Sequence, residues 1–107
     1  MLDEDLQLSL VRCFADTVMR AANLPAARRS DLDNAPSFAA TNEEIVCVDG
    51  ITGCTYAELW DGSEPSALAF AERCGENMAS LVNDTPHYAW LRAGRDGFAK
   101  PKKRPGG

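Results

Sequence analysis

The chain has 107 residues, of which 45% are hydrophobic and 25% are charged, and its formal net charge is −5. This length suits one domain, and the ordinary composition excludes collagen-like, repeat-array and wholly disordered proteins. No apolar run approaches the roughly 20 residues of a membrane-spanning helix, and residues 1–5 are acidic where a secretory signal is basic. We therefore expect a cytoplasmic protein.

Two segments have the apolar spacing of long amphipathic helices. In residues 3–24 and again in residues 64–82, apolar side chains recur every third or fourth residue. Pro25 ends the first pattern, and Ser63, a residue typical of helix N-caps, precedes the second. We expect these two helices to pack against each other in antiparallel directions.

The segment between the predicted helices contains a loop and a strand. Residues 25–43 are rich in turn and cap residues and are predicted to be mostly loop, with Phe38 anchored in the core. Residues 44–49 are β-branched and apolar, and Gly50 follows them, which predicts a strand.

The residues after this strand have two interpretations. A tight turn would return the chain as a second strand over residues 53–59, with Cys54 opposite Cys47. Alternatively, residues 55–58 form a capping box that opens a short helix, and we favour this helix. Without a return strand, residues 44–49 would have to pair elsewhere, for example with a second chain.

These elements predict an α+β, mainly helical fold. Two long amphipathic helices and a short helix, which Thr85 would cap, Pro86 would begin and Gly94 would follow, would pack with one short strand or hairpin. Residues 1–99 are expected to form a single compact domain. Residues 100–107 contain only lysine, arginine, proline and glycine, and are expected to be a flexible basic tail.

Charge is distributed unevenly along the chain. Residues 1–99 hold seven arginines and sixteen acids, a balance of −9, whereas residues 100–107 hold four basic residues and no acid. No basic residue occurs between Arg29 and Arg73, a stretch that contains nine acids. Such a segment generates a negative potential wherever it reaches the surface.

The acidic segment predicts a non-enzymatic protein that inhibits or regulates one protein partner through an acidic face. The partner would have a basic surface, such as that of a nucleic-acid-binding protein. Small acidic domains without catalytic motifs are typical of inhibitors, immunity proteins and phage-encoded anti-defence proteins, which is an analogy of class only. The expected partner-binding residues are Glu43, Glu44, Asp49, Glu58, Trp60, Asp61 and Glu64.

Two other functions remain open on the sequence alone. The basic tail at residues 100–107 would suit a nucleic-acid-associated regulator that binds through it. A small cysteine-dependent enzyme would require His87, the single histidine, to lie within hydrogen-bond reach of a cysteine. The sequence also leaves open a homodimer.

The four cysteines are not spaced as metal ligands, and no C-x2-C pair occurs. We expect no metal, no cofactor and no catalytic residue. The thiols are expected to be reduced and mostly buried, with Cys47 and Cys54 as the pair most apt to differ.

Overall fold

A computed structural model of the chain describes residues 2–93. The chain forms, in order, α1 (Glu4–Ala21), a 3-10 turn (Ala26–Arg28), α2 (Arg29–Asp33), β1 (Pro36–Ala40), β2 (Glu44–Asp49), β3 (Thr55–Leu59), α3 (Glu64–Asp84) and a terminal 3-10 helix (Pro86–Arg92). The predicted α+β class is confirmed. The basic tail predicted at residues 100–107 lies outside the described residues, as do residues 94–99.

The two long helices are confirmed close to their predicted bounds. The carboxylate of Asp3 caps α1 by accepting a hydrogen bond from the backbone N–H of Leu6 at 2.7 Å. Ser63 caps α3 as predicted, since its hydroxyl accepts from the backbone N–H of Ser66 at 3.3 Å. Beyond the end of α1, Asn23 adopts a φ of +53°, a left-handed conformation that a helix cannot continue through.

α1 and α3 run parallel, so the antiparallel arrangement predicted from the sequence is wrong. The Cys13 thiol donates to the carbonyl of Leu68 at 3.5 Å, and the Asn83 amide donates to the carbonyl of Ala21 at 3.4 Å. The helices therefore begin at one end of the molecule and finish at the other. The reason is the number of strands between the two helices. Three antiparallel strands return the chain to the end where α1 begins, whereas the alternative two-stranded hairpin would leave it at the opposite end.

Residues 25–43 are not mostly loop, because they contain α2 and the whole of β1. β1 pairs antiparallel with β2, with Phe38 opposite Cys47. Phe38 is buried, as predicted, and its ring meets those of Phe14 and Phe70 edge-on, at centroid distances of 6.5 and 6.3 Å. The strand was missed because it has one large apolar side chain, and because pairing with β2 rather than local propensity determines its conformation.

Residues 55–59 form a strand, and the short helix favoured from the sequence is wrong. β3 pairs antiparallel with β2, which makes β2 the central strand of a sheet ordered β1-β2-β3. Five residues connect the strands, with Gly53 at a φ of +78°, so the register places Tyr56 rather than Cys54 opposite Cys47. The capping-box pattern is only a local signal, whereas pairing with β2 satisfies the backbone groups of alternate residues of β3 and holds the segment extended.

The helices cover one face of the sheet. Buried side chains of α1, α3 and the inner face of the sheet form one apolar cluster that includes Phe14, Phe70, Ile45 and Met78. The predicted short helix is the terminal 3-10 helix, which buries Trp90 and Leu91 at the edge of this cluster. Among residues 2–93, no helix is long and apolar enough to cross a membrane.

Candidate protein-interaction surface

The outer face of the sheet, the face turned away from the helices, carries small and apolar side chains. Residues alternate between the two faces along each strand. The register aligns Ala39, Val46 and Ala57 in one cross-strand row, and Ser37, Val48 and Thr55 in the next. The outer face therefore consists of Ser37, Ala39, Glu44, Val46, Val48, Thr55, Ala57 and Leu59.

Two large apolar side chains of this face are open to solvent. Leu59 is 88% exposed and Val48 is 43% exposed. No helix or strand among residues 2–93 covers the outer face, so Leu59 stays almost fully exposed and Val48 is only partly buried in the folded chain. Contiguous exposed apolar surface with a polar rim is typical of interaction sites.

A group of carboxylates lies at one end of the molecule, next to the outer face. Glu44 stands directly opposite Leu59, and the backbone N–H of Trp60 donates to the carbonyl of Glu43 at 2.9 Å. A pocket of about 310 Å³ beside Trp60 is also lined by carboxylates from the starts of both long helices. We call this group the acidic end; its members are Asp3, Asp5, Glu43, Glu44, Asp61 and Glu64.

The chain segments that carry the acidic end contain no basic side chain. Among the described residues, segments 2–11 and 30–72 contain neither lysine nor arginine. The six carboxylates are all on exposed residues. Their field therefore reaches solvent without a local counter-charge, and falls off over roughly 8 Å at physiological salt.

Four of the seven residues predicted to bind a partner lie in the acidic end, namely Glu43, Glu44, Asp61 and Glu64. Asp61 also has a local structural role, since one of its carboxylate oxygens accepts hydrogen bonds from the backbone N–H of Ser63 at 2.9 Å and from the Ser63 hydroxyl at 2.7 Å. These donors, the backbone N–H first, hold the pKa of Asp61 below its ordinary value.

The other three predicted residues have partners within the fold. Asp49 is fully buried, and Trp60 is only 8% exposed. The Trp60 indole N–H donates to the carbonyl of Ser63 at 2.9 Å, which fixes the turn before α3. Glu58 lies on the inner face, and its two carboxylate oxygens accept hydrogen bonds from Nε and one terminal nitrogen of the Arg73 guanidinium. None of the three therefore lies on the outer face, and only Trp60 reaches the acidic end, where it lines the pocket.

Sequence reasoning missed two groups of residues at this surface. Asp3 and Asp5 were not among the residues predicted to bind a partner, because nothing local shows that α1 begins beside Trp60 and the start of α3. The outer-face residues had a detectable signal in the alternation of residues 44–49, where Val46 and Val48 are apolar on the face opposite Ile45 and Cys47.

A second depression lies between α1 and α3 and differs in its electrostatics. It has a volume of about 620 Å³, and Arg12, Asp16, Arg20 and Glu72 are among its lining residues. Arg20 pairs with Glu72 at 3.8 Å, and Asp16 pairs with Arg29. Because charges of both signs alternate here, this groove has no single-sign field.

The cysteines and His87 form no catalytic or metal-binding constellation within residues 2–93. Cys47 and Cys74 are both buried, and the neighbouring Cys74 thiol, together with burial, raises the pKa of the Cys47 thiol. His87 is exposed and stacks edge-on against Tyr88 at 5.0 Å; no hydrogen bond joins it to a described cysteine. Nor does the described part of the chain group three His, Cys, Asp or Glu side chains as metal ligands.

The fold and this surface define a two-layer α+β domain with an acidic end and with one sheet face that residues 2–93 leave uncovered. Comparisons of the chain with protein-family models, with curated proteins and with solved structures found no match.

Proposed function

We propose that this chain is a non-enzymatic binding protein that inhibits or regulates one protein partner with a basic surface. The partner's apolar centre would seat on the outer face, around Val46, Val48 and Leu59, and its basic rim would meet the acidic end. A buried apolar centre with a charged rim is the usual anatomy of a protein interface.

The observation that carries the proposal is the contact between the two features. Leu59, the most exposed large apolar side chain, stands directly opposite Glu44 on the same face. One partner can therefore bury the apolar side chains while its cations approach Glu44, Glu43 and Asp61. Electrostatic complementarity of this kind speeds association and selects the partner class.

Charge also favours a protein over a nucleic acid as the occupant of this surface. Phosphate backbones are bound by clusters of lysine and arginine, which the outer face and the acidic end do not contain. The alternative, a nucleic-acid-associated regulator, rests on the four basic residues of segment 100–107. That alternative would assign no function to the exposed apolar side chains of the outer face.

Affinity capture with the full chain from nuclease-treated lysate tests the proposal, if matched charge variants are compared. Glu44→Gln with Asp61→Gln removes two charges at the acidic end. Glu76→Gln with Asp84→Gln removes two from exposed positions of α3 that form no ion pair with any other residue of segment 2–93. We expect the first pair to lower the association rate of the captured partner about tenfold at low salt, and the second to change it less than about twofold.

A second comparison tests the apolar centre. Leu59→Ser removes the exposed side chain from the outer face, and Leu8→Ser removes one that is 48% exposed on α1. Only Leu59→Ser should weaken binding. If both charge pairs, or both serine variants, bound equally well, the proposed surface would be wrong. Capture that disappears when Lys100, Lys102, Lys103 and Arg104 are all replaced by glutamine would support the nucleic-acid alternative instead.

A further inference from the structure

The free edge of β3 carries backbone groups that are not bonded to β2. The backbone N–H of Trp60 donates to the carbonyl of Glu43, and that of Asp49 donates to the carbonyl of Cys54, both at 2.9 Å. In an antiparallel ladder, hydrogen-bonded pairs alternate with pairs whose N–H and C=O groups point the other way. The backbone groups of Thr55, Ala57 and Leu59 therefore point to the open edge.

The opposite edge of the sheet is protected by two features that β3 lacks. β1 begins with Pro36, which has no N–H to offer. The side-chain amide of Gln7, on α1, donates to the carbonyl of Phe38 at 2.9 Å and so occupies an acceptor of that edge. Proline and covering side chains are common means of blocking unwanted strand pairing. Within residues 2–93, the edge without such protection is that of β3.

The side chains of β3 suit pairing with an identical strand. Antiparallel pairing centred on Ala57 would place Ala57 against its copy and Leu59 against Thr55 of the other chain, all on the outer face. The strand's one charged side chain, Glu58, is neutralised by Arg73 on the inner face. Like charges directly opposite each other destabilise a strand pair, and they are a common obstacle to the pairing of identical strands. The pairing described here would contain none.

Antiparallel pairing also separates the two acidic ends. The carboxylates of Glu43, Glu44 and Asp61 lie at the Leu59 end of the strand, whereas residues 52–55 at its other end are uncharged. The acidic end of one copy would therefore adjoin the uncharged end of its partner. A five-residue strand spans about 17 Å, roughly twice the screening length at physiological salt.

We propose that β3 pairs with β3 of a second copy of this chain around a two-fold axis at Ala57. The pairing would supply about six backbone hydrogen bonds and join the two three-stranded sheets into one six-stranded sheet. It would also join the two outer faces into one continuous apolar surface, with an acidic end at either side. This self-association goes beyond the proposed function and does not depend on the partner's identity.

Sedimentation equilibrium of the full chain under reducing conditions tests the pairing. The matched variants are Ala57→Lys and Ala39→Lys, because both alanines lie on the outer face, on either side of Val46, and only Ala57 lies on the open edge. We expect wild type to dimerise with a micromolar dissociation constant. Ala57→Lys should raise that constant at least about tenfold, and Ala39→Lys less than about twofold.

Ala57→Pro provides a second variant. It removes an N–H that points away from β2, so the intramolecular ladder stays intact while the intermolecular one loses its central donor. Amide hydrogen exchange adds a local readout, since protection of Thr55, Ala57 and Leu59 should rise with protein concentration. A chain that stays monomeric up to about 500 µM, or equal effects of the two lysine variants, would overturn the proposal.

The two proposals fail in different experiments. The sedimentation test uses no partner, and Glu44→Gln with Asp61→Gln should leave the dimer intact. Conversely, a dimer that forms as described would say nothing in favour of the proposed partner class.

Discussion

Gly75 of α3 packs tightly against Thr17 of α1, where the two long helices meet. A Cβ atom built on Gly75 would lie 2.8 Å from the Cβ of Thr17 and 3.0 Å from the carbonyl oxygen of Phe14. Thr17 itself is buried, and its hydroxyl donates to the carbonyl of Cys13 at 2.8 Å, so it has little room to move. The absence of a side chain at position 75 therefore sets the spacing of α1 and α3.

Gly75→Ala should destabilise the protein although alanine is the better helix former. Alanine gains about 1 kcal/mol in helix propensity, but forcing the helices apart costs typically 1–3 kcal/mol, so we expect a net loss. Urea denaturation measures the change, and Ser80→Ala, at an exposed position of α3, is the control in which the propensity gain acts alone. A more stable Gly75→Ala protein would show that the helices can separate freely.

Asp49→Ala should loosen the connection between β2 and β3. The buried carboxylate accepts hydrogen bonds from the backbone N–H of Ile51 at 2.8 Å and from the Thr52 hydroxyl at 2.7 Å. Removing the acceptor leaves these donors unsatisfied, which costs about 1–3 kcal/mol. Thermal unfolding checks this, and Asp49→Asn, which keeps one acceptor oxygen, should lose less. Equal losses of thermal stability for the two variants would contradict the role of the Asp49 side chain as the acceptor of these hydrogen bonds.

Arg73 and Glu58 should be coupled weakly but measurably. The pair joins α3 to the inner face of β3, and both side chains are about half exposed, so solvent screens the attraction. A double-mutant cycle with Arg73→Gln and Glu58→Gln should give a coupling free energy of about 0.2–1 kcal/mol, falling as salt is added. A coupling independent of salt would mean that packing rather than charge links the two residues.

Asp61 should titrate at a lower pH than an ordinary aspartate. Because Ser63 lowers its pKa in the folded state, its contribution to stability is present above the unfolded pKa of about 3.9 and is lost as pH falls through the lower folded value. NMR titration of the side-chain carboxyl carbon measures the folded pKa directly. Ser63→Ala removes the hydroxyl donor and keeps the backbone donor, so it should restore only part of the shift; a folded pKa at or above the ordinary value would refute this account.

The four thiols should react at different rates with a soluble disulfide reagent. Cys47 and Cys74 are buried, and the pKa of Cys47 is raised, so both should react only as the protein unfolds. Cys54 and Cys13 are partly exposed and should react in the native state, Cys13 more slowly because burial raises its pKa. Mass spectrometry of labelled peptides identifies each site, and native labelling of Cys47 would mean that the sheet opens readily.

The long helices and the central strand could be predicted because their signals are local. Apolar side chains recur at helical spacing in α1 and α3, and each helix is preceded by a residue typical of N-caps, Asp3 or Ser63. Residues 44–49 are β-branched and apolar. The uneven charge was equally visible, since a segment without lysine or arginine stays acidic in any fold. These features depend on neighbours along the chain, and the sequence by itself determines them.

β1, β3 and the direction of α3 were decided only by tertiary structure. Residues 36–40 and 55–59 become strands because β2 lies between them and bonds to both, a pairing that no local pattern reveals. The resulting odd number of strands makes α1 and α3 parallel, and this brings Asp3 and Asp5 beside Glu64 at the acidic end. The same register buries Asp49 and exposes Leu59, because strand pairing fixes which side of the sheet each residue faces.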